Sequence, residues 1–226
     1  MRGIERKDRG KMDIYIMAGG PEQYVPDLVR YTKEECIWVG VDKGVLYLIN
    51  RSIPVEAAFG DFDSVSEEEW ETICEHSATI KKFKPEKDET DMELALNWSI
   101  KQQPKRIGIF GATGGRLDHT IANIQLLLKE LLRNEQIHIE LIDDKNKVHI
   151  ATSGVHIIER EEIYPYISFF PYSEETVGLT LEGFKYPLKD KYLSVSSALC
   201  ISNELISEYG TFSFAKGILL VIRSRD

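Results

Sequence analysis

The 226-residue chain is short of several things, and each shortage narrows what it can do. It has three cysteines, Cys36, Cys74 and Cys200, an odd number with no C-x-x-C pair. That argues against a disulfide framework and against a structural zinc site. The five histidines, His76, His119, His138, His149 and His156, never stand in H-x-x-x-H spacing, so transition-metal chemistry is disfavoured. The longest clean apolar run near the C-terminus, 218–222, is far below the roughly 20 residues that a membrane span requires, so no membrane partner is expected. Positive charge is scarce as well: 28 Lys plus Arg face 37 Asp plus Glu, a net charge of −9. Proteins that bind nucleic acid at large rely on clustered Lys and Arg, so no nucleic-acid partner is expected either. Residues 1–11 are charged and lack the apolar core of a signal peptide; they read as a loose extension, with the cytoplasm as the expected location.

What is present is an ordinary soluble composition, 42% hydrophobic and 29% charged. At roughly 150 residues per domain, the length allows one large domain or two small ones. From Asp13 onward, short apolar strands alternate with helix-period segments, the rhythm of a parallel sheet covered by helices. Strands are expected at 13–18, 36–41, 55–59, 79–83, 106–110 and 138–142. Helices are expected at 66–76, 90–102 and after 115, the last with Leu117, Ile121, Ile124, Leu128 and Leu131 at helical spacing. Beyond about residue 145 the helical period disappears, and short strand-like runs at 155–158, 167–170, 178–181, 193–195, 211–214 and 218–223 suggest an antiparallel sandwich. The expected organisation is therefore α/β: a Rossmann-like parallel-sheet domain over 12–148, then a C-terminal antiparallel β-sandwich over 149–226.

In an open α/β sheet, ligands bind outside the carboxyl ends of the strands, and here those positions are acidic or glycine. Asp42 directly follows the second strand. Asp61 and Asp63 follow the third in Gly60-Asp61-Phe62-Asp63-Ser64. If that segment is extended, the two carboxylates project to one side and can share Mg²⁺, which takes one or two carboxylates plus phosphate oxygens; an Asx turn explains the same residues. Thr90 and Glu93 have capping-box spacing, and Asp91 sits in the first helical turn, where the helix dipole favours a negative charge. Gly111-Ala112-Thr113-Gly114-Gly115-Arg116 links a strand to a helix, so its N–H groups can cradle phosphate while Arg116 adds a charged fork. Asp118 and His119 follow. Neither a Walker A loop nor G-x-G-x-x-G is present, which ranks a dinucleotide site low even though Asp42 lies about 20 residues beyond Gly19-Gly20.

These motifs in order resemble the thiamin pyrophosphokinase family: Val41-Asp42-Lys43-Gly44, the G-D-F-D-S element, Lys87-Asp88-Glu89-Thr90-Asp91 with Leu94-Ala95, Gly111 through His119 with Asn123, and Ser202-Asn203. The resemblance implies a nucleotide-binding α/β domain followed by a β-sandwich, acting as a homodimer that moves the diphosphate of ATP to thiamin with Mg²⁺. By motif, Asp42, Asp61, Asp63 and Asp91 correspond to the acidic metal and phosphate site, with Thr90 adjacent. Asp61, Asp63 and Asp91 are the expected metal ligands and catalytic groups. Gly114, Gly115, Arg116 and Asp118 correspond to nucleotide-site groups, and Ser202 and Asn203 to the thiamin-contacting pair. Two rivals stand beside this reading. One is a phosphatase using Asp61 and Asp63 as nucleophile and acid; the other is a non-catalytic nucleotide or thiamin sensor.

Overall fold

A computed structural model of the chain describes residues 12–32, 35–63, 65–82, 88–133 and 137–226. The extension 1–11 and, from the expected strand and motifs, Phe83, Ser64 and Lys87 lie outside the described residues. The chain divides into two compact units at Asp144/Lys145.

In the first unit, β1 (Asp13–Met17), β2 (Cys36–Val41), β3 (Val55–Gly60), β4 (Ser77–Lys82), β5 (Arg106–Phe110) and β6 (His138–Ile142) form a parallel sheet in the order β4-β3-β2-β1-β5-β6. β1 pairs with β2 on one side and β5 on the other, so the chain winds outward through β4 and then restarts on the opposite flank. The order reverses between β1 and β5, the kind of switch point at whose carboxyl ends ligands bind in open α/β sheets. The inner strands β1, β2, β3 and β5 read as near-continuous apolar runs because they are covered on both faces. Ile14, Tyr15, Ile16 and Met17 of β1 have no exposed surface. Tyr15, Trp38, Tyr31 and Phe110 form an edge-packed aromatic group with centroids 4.7–5.7 Å apart.

The helices begin where their caps direct. α1 (Gly44–Ile49), too short for a periodic signal and absent from the expected elements, follows Asp42-Lys43. α2 (Glu67–His76) starts at a full capping box, Ser66 Oγ accepting the Glu69 N–H while Glu69 accepts the Ser66 N–H. α3 (Asp91–Lys101) is capped by Thr90, whose hydroxyl accepts the Glu93 N–H at 3.1 Å. α4 (Leu117–Arg133) departs from its expected apolar stripe, since Leu117 is 71% and Ile121 47% exposed. Burial begins deeper in the helix, at Leu127.

The second unit is antiparallel: β7 (Asn146–Glu159), β8 (Tyr166–Pro171), β9 (Glu175–Glu182), β10 (Leu188–Ser194) and β11 (Tyr209–Ser224). β7 begins at Asn146 and runs through the expected 148/149 division. The runs expected at 211–214 and 218–223 are one strand, β11, with a register shift between Phe214 and Ile218. β11 pairs with β7 along one edge, while its other edge pairs first with β9 and then with β8. Ile167, Phe169, Leu179, Leu181, Phe184, Phe212 and Leu219 make the buried centre of this unit.

Candidate functional site

Because all six strands of the first unit run the same way, every residue just after a strand arrives at one edge of the sheet. Asp42 follows β2 in a left-handed conformation (φ 49°), its N–H donating to the Phe59 carbonyl at 2.9 Å. Its carboxylate lies against the Gly60 backbone, where a Cβ would come within 2.3 Å of Asp42 Oδ1, so any larger residue at 60 would collide with it. Asp42 and the Gly60–Asp61 turn are thereby neighbours across β2 and β3.

The Asp61–Asp63 segment is not extended. Phe62 is left-handed (φ 57°) with its ring buried against Trp70, and Asp61 Oδ1 accepts the Asp63 N–H at 3.1 Å. An Asx turn satisfies a backbone donor at the strand end while the core takes the Phe62 ring against Trp70. The strand-period argument for two carboxylates on one side therefore fails. Asp61 is half-buried and Asp63 exposed. Asp91 is half-buried in the first turn of α3, which packs on β2 and β3 and starts at the same carboxyl edge. Among the described residues, no three of Asp42, Asp61, Asp63 and Asp91 bring oxygens within 4.8 Å of one another. An open arrangement of oxygen donors fits Mg²⁺ carried in by a phosphate chain, since that ion takes few protein ligands and keeps waters and phosphate oxygens.

The glycine-rich turn after β5 has an anchored half and a presented half. The Gly111 carbonyl accepts the Gly20 N–H at 2.8 Å, the Ala112 carbonyl accepts Asn123 Nδ2 at 2.9 Å, and the Thr113 hydroxyl donates to Asp143 Oδ2 at 2.6 Å. Gly114, Gly115 and Arg116 are exposed. Gly114 has φ 78°, and a Cβ there would sit 2.2 Å from the Tyr24 ring, so glycine is required on both counts. Arg116 forks onto Asp118 (Nε 3.1 Å, NH2 2.6 Å), whose Oδ1 also accepts the His119 N–H. The Arg116 hydrogen bond holds the Asp118 carboxyl below its ordinary pKa, so the pair is charged and held beside the turn. Asp143 was not among the expected site residues, although the signal was available, because Asp143 follows β6 as Asp42 follows β2.

In the second unit, Ser202 and Asn203 behave differently from each other. Ser202 is exposed and left-handed (φ 54°), its N–H donating to Ser168 Oγ at 3.0 Å. Asn203 is 3% exposed. Its Oδ1 accepts the N–H groups of Tyr186 (3.0 Å) and Glu204 (2.9 Å), its Nδ2 donates to the Tyr186 carbonyl (2.8 Å), and its backbone exchanges two hydrogen bonds with Ile167. The Asn203 side chain thus ties two loops together.

The first unit matches the family model "Thiamin pyrophosphokinase, catalytic domain" over residues 28–141, and the second matches "Thiamin pyrophosphokinase, vitamin B1 binding domain" over 155–219. A thiamine pyrophosphokinase of Bacillus subtilis is 51% identical over 214 residues, covering 94% of this chain and 99% of that protein. The crystal structure of a thiamine pyrophosphokinase from Bacillus subtilis superposes with a TM-score of 0.89 at 49% identity, covering 95% of this chain and 99% of that one. That of a thiamin pyrophosphokinase from Geobacillus thermodenitrificans superposes with 0.86 at 43%, covering 95% and 98%. With both halves matched in order and likeness running nearly end to end, this chain belongs to the thiamin pyrophosphokinase family.

Proposed function

We propose that this chain transfers the diphosphate of ATP to the hydroxyl of thiamin, giving thiamin diphosphate and AMP, with Mg²⁺, in the cytoplasm and as a homodimer. The observation that carries the reading is the shared edge: the acidic turns after β2 and β3 and the glycine-rich turn after β5 all belong to the carboxyl end of one parallel sheet. The finer architecture belongs to the same proposal, a Rossmann-like nucleotide domain and a β-sandwich thiamin domain. Three free cysteines and no described helix long and apolar enough to cross a membrane are in keeping with the location.

In this reading the thiamin hydroxyl oxygen forms a bond to the β-phosphorus of ATP as the bond from that phosphorus to the oxygen of the α-phosphate breaks, and the hydroxyl proton passes to a carboxylate of the site. Such transfer is mostly positioning and electrostatics. Asp61, Asp63 and Asp91 would hold Mg²⁺, which would supply charge neutralisation for phosphates that the carboxylates otherwise repel. The N–H groups of Gly114 and Gly115 face phosphate oxygens, and Arg116, oriented by Asp118, adds a cation. Asp42 sets the Gly60 turn and adds negative charge that suits a cationic thiazolium; Thr90 fixes the start of α3, and with it Asp91. Ser202 offers its hydroxyl to thiamin, and Asn203 holds the loop that carries it.

The test is to mix purified protein with ATP, Mg²⁺ and thiamin and resolve the products against a no-thiamin control. AMP and thiamin diphosphate in equal amounts are expected. Inorganic phosphate released regardless of thiamin would replace this reading with a phosphatase, and binding without turnover would replace it with a sensor.

A further inference from the structure

The glycine-rich turn is held by three successive residues, and the third hold is of a different kind from the others. Gly111 and Ala112 are fixed through their carbonyls, by the Gly20 N–H and by Asn123. Thr113 is fixed through its side chain, which donates at 2.6 Å to Asp143, a carboxylate only 8% exposed at the end of β6. The next residue, Asp144, donates its N–H to the Tyr24 carbonyl at 2.8 Å, and the Tyr24 ring lies on the Cα of Gly114. Residues 143 and 144 therefore hold the turn from two sides: Asp143 grips Thr113, and Asp144 holds the segment whose ring covers Gly114. A buried carboxylate is costly unless its hydrogen bonds recover the loss, and a short bond from a hydroxyl to a charged acceptor is among the stronger kinds.

We propose that Asp143 is a positioning residue for the transfer: through the Thr113 hydroxyl it sets the glycine-rich turn so that Gly114, Gly115 and Arg116 meet the phosphate chain of ATP. The inference rests on the reading of that turn as the nucleotide site. Preorganised donors cost no rearrangement when charge arrives, whereas a turn free to shift by a fraction of an ångström loses that advantage. Neither Asp143 nor Thr113 needs to touch the substrate for this to hold.

The test compares Thr113→Val, Thr113→Ser, Asp143→Ala and Arg116→Ala with the parent, varying ATP and thiamin separately and recording the thermal midpoint. Thr113→Val and Asp143→Ala are expected to raise the KM for ATP about tenfold, as loss of one charged hydrogen bond would. The KM for thiamin stays within about twofold, and Thr113→Ser recovers most of the loss because it keeps the hydroxyl. If Asp143→Ala does not yield folded protein, Thr113→Val decides, since it removes only the donor. A parental KM for ATP in Thr113→Val, no recovery in Thr113→Ser, or equal rises in both KM values would overturn the proposal. Arg116→Ala separates the two layers. If it raises the KM for ATP while Thr113→Val does not, the positioning role alone fails; if it leaves that KM unchanged, the nucleotide reading of the turn fails with it.

Discussion

The two units carry their candidate residues in opposite ways. In the parallel-sheet unit Asp61, Asp63, Gly114, Gly115, Arg116 and Asp118 stand in turns beyond the strand ends, while the strands behind them hold the buried core. In the antiparallel unit Asn203 is part of what holds the unit together, spending its amide on the backbones of Tyr186 and Glu204. A parallel sheet separates scaffold from chemistry because its loops leave one edge freely, so sites vary while the core does not. A sheet built around one long strand, as β11 is here, has no such edge, and a candidate residue such as Asn203 also closes the structure. Substitutions in the exposed turns of the first unit should thus lower activity without lowering stability, whereas substitution of the buried Asn203 in the second should lower both together.

The largest effect expected is at Asp61. Asp61→Asn should lower turnover by about 10²–10³-fold, the usual scale for removing a preorganised electrostatic group, with the thermal midpoint unchanged because the amide oxygen still accepts the Asp63 N–H. Parental turnover in this variant and in Asp63→Asn would remove the metal assignment. Next comes Asn203→Ala, which removes the side-chain partners of the Tyr186 and Glu204 backbones at a position only 3% exposed and should cost roughly 1–3 kcal/mol in urea unfolding. If it unfolds like the parent, the contrast between the units collapses. Ser202→Ala sharpens the same contrast from the other side: stability within about 0.5 kcal/mol of the parent, as for most surface substitutions, and a raised KM for thiamin.

The smallest effect is in pH dependence, and it belongs to the scaffold. Burial pushes the Tyr15 phenol up to about 12 from an ordinary value of 10.0, with Asp13 and Arg106 beside it. A folded-state pKa raised above the unfolded one means the fold prefers the neutral phenol. That contribution is complete below pH 10 and is lost as pH rises toward 12. Urea unfolding of the parent and Tyr15→Phe should therefore converge across this window. A constant difference from pH 9 to 12 would show that the phenol does not titrate as its burial requires.

How legible the molecule was depended on whether the deciding interaction was local. Strands 36–41, 106–110 and 138–142 were found at their observed bounds because apolar runs ending in Gly or Asp are local signals. The Ser66 and Thr90 helix starts are local too, each cap reaching only three residues ahead. Misreadings arose where distant parts intervene. Asp61-Phe62-Asp63 looked extendable until the core claimed the Phe62 ring against Trp70. The runs at 211–214 and 218–223 looked separate because only pairing with β7 across a register shift makes them one strand. Leu117 and Ile121 fit a helical stripe yet stay exposed among the described residues.

By itself the sequence determined the alternation of strand and helix, the change of character after about residue 145, the family, and which residue types stand at each strand end, since all of these rest on composition, period and order along the chain. Tertiary structure alone decided that Asp42 lies against Gly60, that Asp143 grips Thr113 thirty residues away, and that Asn203 spends its side chain on the backbone. Those contacts join segments distant in sequence, and a hydrogen bond between such segments leaves no periodic trace in either of them.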